Sequence, residues 1–257
     1  MKRKGLKKYF NILFFIMVAL SIILLANPAI DVMKRAGNAI KPAEKTGEKE
    51  NGSPSDTTKK RDEISIVLDA GHGGRDPGKV GINGALEKDI NLSIAKKLKT
   101  LLEQNDINVI MVREDDSGLY SDSDSNKKVV DMRNRVDLIN KSNAVLAVSI
   151  HQNSFTQESI KGAQVFYYNN SREGKEFAET MQEQLKKSLK DGNKRVAKAN
   201  DSYYMLKKVE CPIVIVECGY LSNSTEATLL TEESYQEELA FAIHLGLLSY
   251  LNGYKGK

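Results

Sequence analysis

From residue 62 onward the chain switches between two hydrophobic patterns. Short, nearly unbroken apolar runs rich in β-branched residues predict buried strands at 64–69 (ISIVLD), 108–113 (NVIMVR), 143–150 (NAVLAVSI) and 212–218 (PIVIVEC). Residues 162–168 (GAQVFYY) alternate apolar with polar and predict a strand nearer a sheet edge. Between these runs the apolar period changes to that of a helix. Residues 87–104 place Ile90, Ile94, Leu98, Leu101 and Leu102 on one face. Residues 127–140 do so with Val129, Met132, Val136 and Ile139, and residues 172–189 with Phe177, Met181, Leu185 and Leu189. A helix over 232–251 closes the chain. Strands that alternate with helices predict an α/β domain with a mostly parallel central sheet.

The first sixty residues follow neither pattern. Lys2, Arg3, Lys4, Lys7 and Lys8 precede an apolar stretch over 10–26, broken only by Asn11 and Ser21. Cations before an apolar run predict a secretory signal, or an uncleaved anchor held with its positive end inside. Its seventeen residues span about 25 Å as a helix, slightly short of a hydrocarbon core. Ala26-Asn27-Pro28-Ala29 is not a clean small-x-small cleavage site, which favours the anchor. Residues 31–61 are charged, with hardly an apolar side chain from Lys41 on, and cannot offset their ordering entropy. The expected organisation is therefore an anchor or signal over 1–30, a linker over 31–61 and one catalytic domain over 62–257. The domain is expected on the extracytoplasmic side, membrane-anchored or secreted.

Charge sharpens this division. The 257 residues carry 38 Lys+Arg and 34 Asp+Glu, a net charge of +4. Residues 1–61 hold 13 basic and 5 acidic side chains (+8), which leaves 25 and 29 (−4) for the rest. A mildly acidic body lacks the electrostatic footprint of a nucleic-acid binder. The composition also excludes a collagen-like, wholly disordered or polytopic membrane chain. Two cysteines make no disulfide framework. Along an extended strand Cys211 and Cys218 would lie about 23 Å apart, beyond disulfide reach, so both are expected as thiols.

The candidate chemistry sits at strand ends. His72 follows ISIVLDAG, His151 follows AVLAVSI, and Glu217 ends IVIVE. Sites of open α/β sheets form outside the carboxyl ends of strands, so three elements deliver these groups to one edge. Glu87 opens the first helix, beyond a loop whose five glycines let it fold back over that edge. Two imidazoles and a carboxylate suit a catalytic zinc with an open position, and a second carboxylate is free to carry a proton. Spacing does not say which glutamate takes which role. Blander readings exist: His72 as a loop histidine, Glu87 as a first-turn acid favoured by the helix dipole. Glu217 beside a strand core is hardest to dismiss. His244, among Phe241, Ile243 and Leu247, reads as structural, and the acidic segment 116–126 as solvated surface.

VLDAGHGGRDPG, GALEKDINL, SIHQNS and PIVIVECGYLSN, in this order, resemble the zinc-dependent N-acetylmuramoyl-L-alanine amidases of the amidase-3 family over roughly residues 63–252. The resemblance implies a six-stranded sheet flanked by helices. It implies zinc (Zn2+) on His72, Glu87 and His151, with Glu217 as the catalytic acid and base. It implies peptidoglycan as substrate, cleaved between muramic acid and L-alanine. A thiol mechanism through Cys218 is disfavoured, because no histidine lies near it in sequence. The anchor, the single domain, LEKDINL, the REDD segment and KGAQVFYY are most similar to spore-cortex amidases, which help form muramic-δ-lactam. Two other classes compete: a peptidoglycan-binding module inactive without an activating protein partner, and a metallopeptidase of the stem peptide.

Overall fold

The computed structural model describes residues 64–253. The expected membrane segment and linker lie outside the described residues. Within them run β1 (Ser65–Ala70), α1 (Glu87–Glu103), β2 (Asn108–Met111), α2 (Lys127–Lys141), β3 (Leu146–Asn153), β4 (Gln164–Tyr167), α3 (Arg172–Leu189), β5 (Lys198–Ala199), α4 (Tyr204–Lys208), β6 (Ile213–Tyr220), α5 (Ser224–Leu229) and α6 (Glu233–Gly253). No helix among the described residues is long and apolar enough to cross a membrane.

The strands form one six-stranded sheet in the order β2-β1-β3-β6-β4-β5. β2, β1, β3 and β6 run parallel, β4 is antiparallel to β6, and β5 is parallel to β4. The expected α/β fold with a mostly parallel six-stranded sheet is what the chain adopts. The central strands are fully buried because both faces are covered, which is why their sequences read as continuous apolar runs. α1, α3 and α6 cover one face around Leu68, Val148, Ile150, Val214 and Val216. α2 and α4 cover the other around Val67, Ala147, Ile213 and Ile215.

The helical stripes explain this sandwich. In α1, Ile90, Ile94, Leu98 and Leu102 are all buried, each contributing about 1.5–3 kcal/mol. In α3, Phe177, Met181 and Leu185 do the same. α2 departs from its expected stripe: Val129 is 49% exposed, while Arg135, between Val136 and the turn before, is 1% exposed. That arginine has work inside the sheet edge, described below. The strand expected over 108–113 ends at Met111, which frees Arg113 to turn inward.

The glycine-rich loop after β1 closes over the carboxyl end of the sheet, as expected. Its carbonyls satisfy the first donors of α1: Glu87 N–H donates to Lys79 O and Lys88 N–H to Pro77 O, at 2.9 and 3.1 Å. Loop and helix start are therefore one unit.

Candidate metal centre

Each candidate side chain arrives on a different element. β3 and β6 are neighbours, and His151 pairs in register with Glu217, so both project from the same sheet face. His72 sits two residues beyond β1, with φ +63°, a backbone conformation uncommon outside glycine. Glu87 is the first residue of α1. The structure brings all four to one cleft of about 550 Å³ at the carboxyl edge of the sheet.

Three of them converge. Donor atoms of His72, Glu87 and His151 all lie within 4.8 Å of one another. Glu87 Oε1 is 3.2 Å from His72 Nε2 and 2.9 Å from His151 Nδ1. Its carboxylate also accepts from the backbone N–H of Gln152 at 3.0 Å and of Lys79 at 2.8 Å. Burial opposes the charge on Glu87, but the bonds to His151 and His72 outweigh it and hold the carboxyl well below its usual range. Burial likewise opposes the charge on His151, and the bond to Glu87 overcomes it and raises the pKa.

This donor set fits a cation. Asp76 Oδ2 lies 3.0 Å from His72 Nδ1. As a carboxylate it accepts only, so Nδ1 carries the proton and the lone pair of a neutral His72 lies on Nε2. That lone pair then faces a carboxylate oxygen at 3.2 Å. With a neutral His72 these two donor atoms would both be turned toward a cation held between them. Aspartate–histidine pairing of this kind orients metal ligands generally. Glycines make the room: a Cβ on Gly71 would lie 2.2 Å from His151 Cε1, and one on Gly78 2.6 Å from Glu87 Oε2.

Glu217 stands apart from the trio. It is 7% exposed, its Oε1 is 3.5 Å from the Tyr203 hydroxyl, and its buried Oε2 has no partner. Burial raises its pKa, partly countered by His151.

Two buried arginines hold the histidine loop, and sequence reasoning missed both. Arg135 donates to Asp69 Oδ1, Ala70 O and His72 O at 2.6, 3.0 and 2.6 Å, and to Asp131 at 2.6 Å. Arg113 donates to Ala70 O, Gly71 O and Lys88 O at 2.8, 3.1 and 2.7 Å. The available signal was position: Arg135 lies three residues after Met132 and four before Ile139, on the apolar stripe. Asp69 also accepts from Ser149 Oγ at 2.6 Å. Burial works against its charge, but Arg135, the Ser149 hydroxyl and His151 together outweigh it and hold the pKa low.

The acidic segment 116–126 is mostly surface, as expected, but it also braces the loop. Asp116 accepts from Gly74 N–H and from Lys88 Nζ, and the Tyr120 hydroxyl accepts from Arg75 N–H. His244 is buried in the core and remote from the cleft residues, as a structural histidine should be. Both cysteines are free thiols. Cys218 is fully buried and burial pushes its pKa up, which excludes it as a nucleophile.

Comparison with known proteins places the chain in a family. The family profile of N-acetylmuramoyl-L-alanine amidases (Amidase_3) matches residues 66–249. The germination-specific N-acetylmuramoyl-L-alanine amidase of Bacillus subtilis is 40% identical over 188 residues, 72% of this chain and 78% of that protein. The amidase LytC of the same organism is 32% identical, over 72% of this chain but 35% of its own length. Among solved structures, the CwlD amidase of Clostridioides difficile, in complex with the GerS lipoprotein, is 43% identical with a TM-score of 0.73, covering 75% of this chain and 100% of that one. The chain thus belongs to the N-acetylmuramoyl-L-alanine amidases of peptidoglycan, close to their germination-specific and CwlD members.

Proposed function

We propose that the chain is a zinc-dependent amidase whose metal is held by His72, Glu87 and His151 and whose proton carrier is Glu217. The observation that carries the reading is the convergence of three donor atoms within 4.8 Å beside a buried carboxylate with one unpartnered oxygen. Bound there, zinc supplies Lewis-acid polarisation of the lactyl carbonyl and brings the pKa of water toward neutrality. The rest falls to the side chains. Glu217 accepts the proton of the attacking water. As the C–N bond breaks, it delivers that proton to the nitrogen of L-alanine, which leaves as an amine. Its pKa is raised by burial, the direction that suits a group that must both take and give a proton. Asp76 fixes the His72 tautomer, and Arg135 and Arg113 fix the His72 backbone.

Kinship with germination-specific and CwlD amidases supports a place in spore cortex, where removal of the peptide prepares muramic acid for lactam formation. The domain then works outside the cytoplasm, reached through the signal or anchor over 1–30. The lipoprotein complex of the clostridial relative supports an activating protein partner for this chain too.

The full-length protein should be incubated with purified peptidoglycan, with zinc and with chelator, and new end groups read by mass spectrometry. Free lactyl carboxyl groups and new N-terminal L-alanine, lost with chelator, are expected. Cuts inside the stem peptide would instead indicate a metallopeptidase, and no cut even with candidate partners a binding module. Glu217→Gln should keep zinc and lose turnover.

A further inference from the structure

The segment between β5 and α4 holds one aromatic side chain against Glu217 from outside the four motifs that carry the family resemblance. Asn200 builds the turn: its Oδ1 accepts from Ser202 N–H at 2.8 Å, from Ser202 Oγ at 2.9 Å and from Tyr203 N–H at 2.9 Å. The Asn200 N–H is itself tied to Tyr167 O at 2.8 Å. Tyr203 thus leaves a backbone fixed on β4, and its ring packs edge-on against Phe166 with centroids 5.6 Å apart. With turn and ring both held, the hydroxyl reaches the cleft and lies 3.5 Å from Glu217 Oε1.

We propose that Tyr203 is a positioning residue for the amidase reaction: its hydroxyl grips Glu217 Oε1 and so fixes how the carboxylate is presented to the cleft. An ionised carboxylate only accepts, so the direction of this bond is fixed, from the tyrosine to the glutamate. Burial first, and then the nearby Glu217, push the Tyr203 pKa up to about 12, so the donor keeps its proton throughout the working range. The contact is long for an O–H···O bond, as catalytic hydrogen bonds are before substrate tightens them. Glu217 Oε2 is buried and has no hydrogen-bond partner, so the Tyr203 contact at Oε1 is the one side-chain hydrogen bond of this carboxylate among the described residues. Without the grip a carboxylate rotates about its last bond, a broad torsion, and exchanges its two oxygens.

This inference rests on the role of Glu217 proposed above. Its test is Tyr203→Phe in the full-length protein, which keeps the ring on Phe166 and removes one oxygen. With purified peptidoglycan as substrate, kcat should fall about tenfold, while KM and bound zinc stay within about twofold. The acidic limb of the kcat profile should also move upward by roughly one pH unit, because a donor that favours the charged carboxylate has gone. An unchanged kcat and profile overturns the proposal. So does a loss spread equally over zinc content, KM and melting temperature, which marks a structural role. Glu217→Gln run alongside separates the failures. If it keeps turnover, the underlying role of Glu217 falls; if it loses turnover while Tyr203→Phe does not, this inference alone falls.

Discussion

Replacing Arg135 by Met leaves the volume of the helix stripe nearly intact and removes one charge. The consequences follow from its neighbours. Asp69 is 0% exposed and would keep only Ser149 Oγ as a partner. Asp131 and the carbonyls of Ala70 and His72 lose a donor as well. Breaking a buried ion pair from one side costs about 3–5 kcal/mol. For a domain of this size that lowers the melting temperature by roughly 6–20 °C. The assay is thermal and urea unfolding with chelator present, so that metal binding does not contribute to stability. Two controls make the reasoning refutable. Asp69→Asn added to Arg135→Met should recover about 2 kcal/mol or more, because the orphaned charge is gone.

The second control is pH. In the native protein Arg135 holds the Asp69 pKa low, so the contribution of this group is present above its unfolded pKa and fades as pH falls through the lower folded value. In Arg135→Met burial is opposed only by the Ser149 hydroxyl and His151, and the folded pKa rises above the unfolded one. The penalty is then full above that lifted value and disappears as acid protonates Asp69. The gap between variant and native protein should therefore narrow toward low pH. A variant that melts within a degree or two of native, or a gap that widens in acid, refutes the account.

Other substitutions test separate links. Gly71→Ala puts a methyl group against the His151 ring; zinc affinity, measured by chelator competition, should fall at least about tenfold with secondary structure unchanged. Asp76→Asn removes the group that fixes the His72 tautomer and should weaken zinc about 10–100-fold in the same assay, with little change in melting temperature without metal. Cys218→Ala should keep full turnover and cost about 1 kcal/mol in urea unfolding, since the side chain only fills core; loss of activity with zinc still bound would reopen the thiol mechanism.

The strands and three of the four candidate residues were legible because an apolar run gives way to polar or charged groups that the core cannot want. ISIVLD, AVLAVSIH and IVIVE all do so, and all three ends meet. What stayed hidden was short or relied on tertiary contact. β5 has two residues and α4 five, too few to carry a period. Arg135 lies on a stripe where pattern reading counts only apolar residues, so Val129 was placed inside and the arginine was not. Tyr203 reads as an ordinary aromatic in YYMLKK, since nothing local tells that Asn200 turns it toward β6. The acidic segment 116–126 reads as surface because its bonds run to Gly74 and Arg75, more than forty residues away.

The pairing of His151 with Glu217 across β3 and β6 carries one more consequence. Their separation is a lattice constant of the sheet, about 4.8 Å between neighbouring strands, rather than a property of any loop. A one-residue slip would turn one side chain to the opposite face, and a two-residue slip would move it about 7 Å along the strand. Both are blocked by the apolar pairs Ala147–Ile213, Val148–Val214 and Ile150–Val216 beneath. The spacing of His151 and Glu217 is accordingly set by the ladder, whereas the positions of His72 and Glu87 depend on the glycine-rich loop and the start of α1. A designer wishing to change the substrate has the rim to work with, and should leave the ladder alone.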